Sequence, residues 1–151
     1  MSHSGVNRTI LHVDDDPQFT RIVAHVLQRK GYEVVSLNDP QQVLGELIRH
    51  GYRIVLLDID MPGIDGIDML RRIKEYDGGV QVIMLTGLVT LSNAMAAFRR
   101  GAEACFFKPL EDYSPLVNAI EATFHKIDHW WQALHELTRQ RRQVEAVTVE
   151  S

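Results

Sequence analysis

The sequence predicts an α/β protein: a doubly wound, five-stranded parallel sheet with an extended C-terminal helix. Short β-branched apolar runs alternate five times with longer segments of helical period, the pattern of a sheet covered by helices on both faces. Proline and glycine fall at the boundaries between those segments, where helices start and stop.

The strands are expected near Thr9–Val13, Glu33–Leu37, Ile54–Asp58, Gln81–Thr86 and Ala104–Phe107. Each is followed by a segment long enough for the crossover that parallel pairing requires. Asp16-Pro17, Asp39-Pro40 and Ser114-Pro115 each place an N-cap side chain before a proline, whose missing N–H costs nothing in a first helical turn. The first helix carries Phe19, Ile22, Val23, Val26 and Leu27 on one face and stops near Gly31, and the second carries Val43, Leu47 and Ile48 and stops at Gly51. The third uses Ile67, Leu70 and Ile73 before Gly78-Gly79, and the fourth uses Leu91, Met95 and Phe98 before Gly101.

From Ser114 no breaker occurs before about Gln143, a helix of roughly 45 Å at the standard rise and longer than the sheet it covers. Ile120, Ile127, Trp130, Leu134 and Leu137 fall close to a heptad seam. One reading folds this helix back on its own body. The other, favoured by the adjacent Trp130 and Trp131, uses the stripe for self-association or for docking another module.

A chain of 151 residues buries roughly 68–70% of its unfolded surface, enough for a core. Hydrophobic residues are 45% and charged residues 24% of the chain, and no apolar run approaches a membrane span. The polar start, Met1 to Gly5, resembles neither a signal nor a transit sequence. The lone Cys105 excludes an intrachain disulfide and agrees with a reducing compartment, so a cytoplasmic location is expected. A net charge of −4 argues against non-specific nucleic-acid binding.

In parallel α/β folds ligands gather at the carboxyl ends of the strands. Asp14 and Asp15 follow the first strand, Asp58 ends the third, Thr86 ends the fourth and Lys108 follows the fifth. Three carboxylates in one crevice repel by about 4 kcal/mol per pair at 4 Å and an effective dielectric of 20. A hard divalent cation with oxygen ligands relieves that repulsion, and Mg²⁺ suits the set. A carboxylate could then attack a phosphoryl group while Lys108 and Thr86 engage its oxygens and Gly87 leaves the approach open.

Taken singly these signals are weak. Asp14-Asp15-Asp16 alone reads as a solvated turn, Asp16 as an N-cap, Lys108 as a surface residue before proline and Thr86 as a strand end. His12, His25, His50, His125, His129 and His135 lack metal-ligand spacing and read as structural or surface residues. Arg139, Arg141 and Arg142 read as a solvated helix face.

Together, Val13-Asp14-Asp15, Leu57-Asp58-Ile59-Asp60-Met61-Pro62-Gly63, Leu85-Thr86-Gly87 and Lys108-Pro109 resemble the receiver domain of two-component response regulators over residues 8–126. The resemblance implies a flavodoxin-like sheet of strand order 2-1-3-4-5. It also implies phosphorylation of Asp58 by a histidine kinase or phosphotransfer protein. Asp15 and Asp58 would ligate Mg²⁺, Asp14 would act through water, and the backbone carbonyl of Asp60 would complete the ligands. Lys108 and Thr86 would contact the phosphoryl group, and the peptide before Pro109 would be cis. Asp60 and Leu88 occupy positions that influence the lifetime of the phosphate.

One position departs from the family: Cys105 stands where an aromatic residue usually moves with the threonine. Phe106 points to the opposite face and does not replace it, so a weaker or differently routed switch is expected. Residues 127–151 form a helical extension and tail, too short for an ordinary DNA-binding output. Output is expected through a homodimer made by this helix, a missing portion or a separate protein. Two alternatives remain: a haloacid dehalogenase-type phosphatase, to whose aspartate pair Asp58-Ile59-Asp60 is similar, and a phosphorylation-independent scaffold.

Overall fold

The computed structural model describes residues 6–87 and 90–150, without the side chains of Val149 and Glu150. The pentapeptide before Val6 and Leu88, expected above to influence the lifetime of the phosphate, lie outside the described residues. Five strands, β1 (Thr9–Val13), β2 (Glu33–Leu37), β3 (Ile54–Leu57), β4 (Gln81–Thr86) and β5 (Ala104–Phe107), form one parallel sheet of order β2-β1-β3-β4-β5. The helices are α1 (Pro17–Arg29), α2 (Val43–His50), α3 (Gly66–Tyr76), α4 (Leu91–Arg99) and α5 (Ser114–Glu150).

Alternation along the central strands divides the core in two. Leu11, Val13, Val55, Leu57, Val82 and Met84 pack with Val43, Leu47, Leu70 and Ile73 on one face. Ile10, Ile54, Leu56, Ile83 and Leu85 pack with Val23, Leu27, Leu116, Ile120 and Phe124 on the other. β3 is buried throughout, as a strand covered on both sides must be. It stops one residue earlier than the sequence suggests: the Asp58 N–H still donates to Val13 O (3.2 Å), but its side chain accepts from Asp60 N–H (3.1 Å) and turns the chain.

Several helix details differ from expectation. Ile22 and Ile48 are 52% and 64% exposed; Thr20 takes the inward place on α1, its hydroxyl accepting from the Asn38 amide (3.2 Å) and donating to Pro17 O (3.2 Å). Asp39 caps a 3-10 turn, Pro40–Gln42, that precedes α2. Asp112, rather than Ser114, supplies the side-chain acceptor at the start of α5, taking the Ser114 N–H at 2.9 Å. The largest difference is α4. Leu91 and Phe98 are 80% and 75% exposed, while Ala97 is buried. Small side chains let this helix lie close to its neighbours, so its bulky stripe faces outward.

α5 runs unbroken to Glu150, beyond the expected end, because no glycine or proline follows Gln143. It does not fold back. Leu116, Val117, Ile120 and Phe124 anchor its first half, and Arg8 clamps the exit, bonding Asp128 at 2.5 Å and lying 5.0 Å from the Phe124 ring centre. Trp130, Leu134, Leu137 and Val144 then project into solvent. Trp130, Trp131 and Leu134, with Asn7, Arg53 and Gly79 at the foot of the sheet, enclose a corner of about 560 Å³.

Candidate functional site

β1 and β3 are paired in register, Val13 beside Leu57, so the residues that follow them emerge side by side. Oxygens of Asp14, Asp15 and Asp58 lie within 4.8 Å of one another, with Asp14 and Asp58 buried and Asp15 exposed. Two local turns fix the buried pair: Asp14 Oδ1 accepts from Asp16 N–H (2.9 Å) and Asp58 Oδ1 from Asp60 N–H (3.1 Å). Lys108 crosses from the end of β5, its Nζ donating to Asp14 Oδ2 at 2.5 Å and Asp58 Oδ2 at 3.2 Å. Its backbone N–H donates to Thr86 O (2.9 Å), which ties the lysine to the buried threonine at the end of β4. The Lys108-Pro109 peptide is cis.

The electrostatics follow from burial. Loss of solvent raises the Asp14 carboxyl above its ordinary range, against the opposing Lys108 hydrogen bond. Burial alone would lower Lys108; the Asp14 hydrogen bond and the charges on Asp14 and Asp58 outweigh it and hold the ammonium above its usual value. One lysine shared between two buried carboxylates, with a third alongside, leaves net negative charge. That donor set suits a hard divalent cation.

Three features were not legible as site residues. A Cβ on Gly66 would come within 2.3 Å of Asp58 O and 2.5 Å of Ile59 Cα, and the Gly66 N–H donates to Ile59 O (3.0 Å). Glycine therefore lets α3 begin against the backbone that carries Asp58. Its only sequence signal is its place after the N-cap Asp65. Phe19, read as a core residue, lies with its ring centroid 4.4 Å from Lys108 Nζ. His12 is fully buried beside it, and burial, then the Lys108 charge, lowers its pKa to about 3.

The remaining candidates separate cleanly. The Asp60 side chain is exposed and outside the carboxylate group, and Asp16 caps α1. Cys105 packs against the α2–α3 core and Phe106 against the α1–α5 core, the opposite facing that strand alternation requires. A Cβ at Gly87 meets nothing within 4 Å. Arg139 is engaged with Glu136 (2.7 Å) on the surface of α5.

The response regulator receiver domain profile matches residues 10–121. The chain belongs to that family. This receiver is 35% identical over 100 residues to the C4-dicarboxylate transport transcriptional regulatory protein DctD of Pseudomonas aeruginosa, covering 66% of this chain and 22% of that protein. It is 31% identical over 106 residues to the DNA-binding response regulator MtrA of Mycolicibacterium smegmatis, covering 70% of this chain and 46% of that one. The match thus spans half or less of these curated relatives. A response regulator receiver domain from Clostridium thermocellum superposes with a TM-score of 0.76 at 28% identity, covering 82% of this chain and 99% of the other. The aspartate pair of a haloacid dehalogenase-type phosphatase follows the first core strand, whereas Asp58 follows the third here. Among the described residues no helix is long and apolar enough to cross a membrane.

Proposed function

We propose that this receiver accepts a phosphoryl group on Asp58 from a histidine kinase or phosphotransfer protein and uses it as a switch in two-component signalling. The observation that carries the reading is the buried Asp58 carboxylate, placed beside Asp14 and Asp15 and bonded to Lys108. Asp15 and Asp58 would hold Mg²⁺ directly, with Asp14 through water and the Asp60 carbonyl as a further ligand. When bound, the ion would neutralise charge on the carboxylates and on the phosphoryl oxygens.

An Asp58 carboxylate oxygen attacks phosphorus, the bond to the donor breaks, and an acyl phosphate forms. Lys108 transfers its hydrogen bond from Asp58 to a phosphoryl oxygen, and the Thr86 hydroxyl donates to another. Water later reverses the modification, so the domain carries self-phosphorylation and slow dephosphorylation without turning over an external substrate. The adduct adds roughly −1.5 to −2 charges; a complete switch requires about 5.5 kcal/mol of difference between two conformations.

Residues 8–126 form the switch body and 127–151 the helical extension and tail, and two copies associate through the helix. Direct nucleic-acid binding is not assigned to these residues, whose net charge is −4, although relatives are named as transcriptional and DNA-binding regulators. Incubation with a small phosphodonor, with and without Mg²⁺, tests the reading by intact mass. One phosphoryl group is expected only with Mg²⁺ and only when Asp58 is present; phosphate-ester turnover lost in Asp60→Asn would favour the phosphatase instead.

A further inference from the structure

The Lys108 ammonium has a neighbour besides its two carboxylates. It lies over the Phe19 ring, 4.4 Å from the centroid, inside the ~6 Å range in which the face of an aromatic ring attracts a cation. Phe19 sits in the first turn of α1, its N–H donating to Asp16 Oδ1 (3.4 Å), on the segment that also carries Asp14 and Asp15. His12, on β1, meets this ring edge-on, with centroids 5.7 Å apart and planes at 74°. Neither imidazole nitrogen has a hydrogen-bond partner, so His12 acts on its surroundings as a ring.

We propose that Phe19 is a positioning residue for Lys108, and that His12 fixes the tilt of the Phe19 ring. This rests on the reading that Lys108 contacts the incoming phosphoryl group. Asp58 holds the ammonium only until its oxygen becomes bonded to phosphorus; Asp14 Oδ2 and the Phe19 ring are the neighbours that remain. The Phe19 face attracts the same cation without competing for any oxygen. It therefore keeps Lys108 at the rim while the hydrogen bond passes from carboxylate to phosphoryl group. An aliphatic side chain would fill the space and lack that attraction.

The test measures the rate of phosphoryl uptake from a small phosphodonor at saturating Mg²⁺, with Mg²⁺ affinity and thermal melting recorded for each variant. Phe19→Leu and Phe19→Met are expected to slow uptake about threefold to tenfold with Mg²⁺ affinity unchanged, while Phe19→Tyr retains the wild-type rate. His12→Leu is expected to slow uptake less, and His12→Phe to restore it. Wild-type rates in both aliphatic Phe19 variants would overturn the proposal, as would a Phe19→Tyr variant as slow as Phe19→Leu or a His12→Phe variant as slow as His12→Leu. Lys108→Ala separates the two levels. If it takes up phosphate normally, the lysine reading fails and the proposal with it; if it is slow while Phe19→Leu is normal, only the positioning role is lost.

Discussion

The Lys108 ammonium lies 3.2 Å from Asp58 Oδ2, a contact between residues fifty positions apart. It makes the lysine a counter-ion for the carboxylates that would hold a divalent cation. Replacing Lys108 with methionine leaves the group more negative and is expected to tighten Mg²⁺ binding, on the order of tenfold given the strength of close charge pairs. Calorimetric titration checks this; unchanged or weaker binding would show that the ammonium does not compete.

Gly66 sets the distance between α3 and the Asp58 backbone. Gly66→Ala forces its new methyl against Asp58 O and Ile59 Cα, main-chain atoms that cannot swing aside. Overpacking of this kind costs about 1–3 kcal/mol, and phosphoryl uptake at Asp58 should fall in step. Chemical denaturation and the uptake rate measure the two effects; a variant as stable and as fast as wild type would mean the contact relaxes freely.

His12 gives stability a pH dependence of defined sign. Its pKa is lowered from 6.5 to about 3 in the folded protein, so below pH 6.5 the unfolded chain binds a proton that the native state refuses. Stability is retained above the unfolded value and lost as pH falls towards 3. Between pH 7 and pH 5 the loss from this residue is about 2 kcal/mol. His12→Leu should remove it and, by deleting two unsatisfied buried nitrogens, add about 1 kcal/mol at neutral pH. Urea melts of both proteins at the two pH values decide the matter; parallel losses would assign the acid sensitivity elsewhere.

Much of this was legible because signals of different kinds coincided. β3 could be placed by its apolar run, and Asp58 by its position where that run meets a proline–glycine turn. Asp14 and Asp15 were readable because they lie between the apolar run of β1 and the helix start at Asp16-Pro17. α4 was misread because two apolar faces compete on one helix: bulk favours Leu91, Met95 and Phe98, whereas close packing selects Ala97. Phe19 and Gly66 escaped because their roles depend on distances across the fold, to a side chain 89 positions away and to a backbone carbonyl, which no local pattern encodes.

The projecting part of α5 yields a prediction about assembly. Trp130, Leu134, Leu137 and Val144 are each at least 50% exposed, on a helix whose second half has little else to stabilise it in water. The wild-type protein is expected to be dimeric by light scattering, and Leu134→Glu with Leu137→Glu to be monomeric with less helix by circular dichroism. A wild-type monomer at high micromolar concentration would contradict self-association through this stripe.

The most direct test is where the phosphoryl group lands. After treatment with a small phosphodonor, borohydride converts an aspartyl phosphate to homoserine, and peptide mass spectrometry reads the position. The prediction is homoserine at residue 58, formed with Mg²⁺ and absent without it. Labelling at another carboxylate, or equal labelling of Asp58 without any divalent cation, would contradict it.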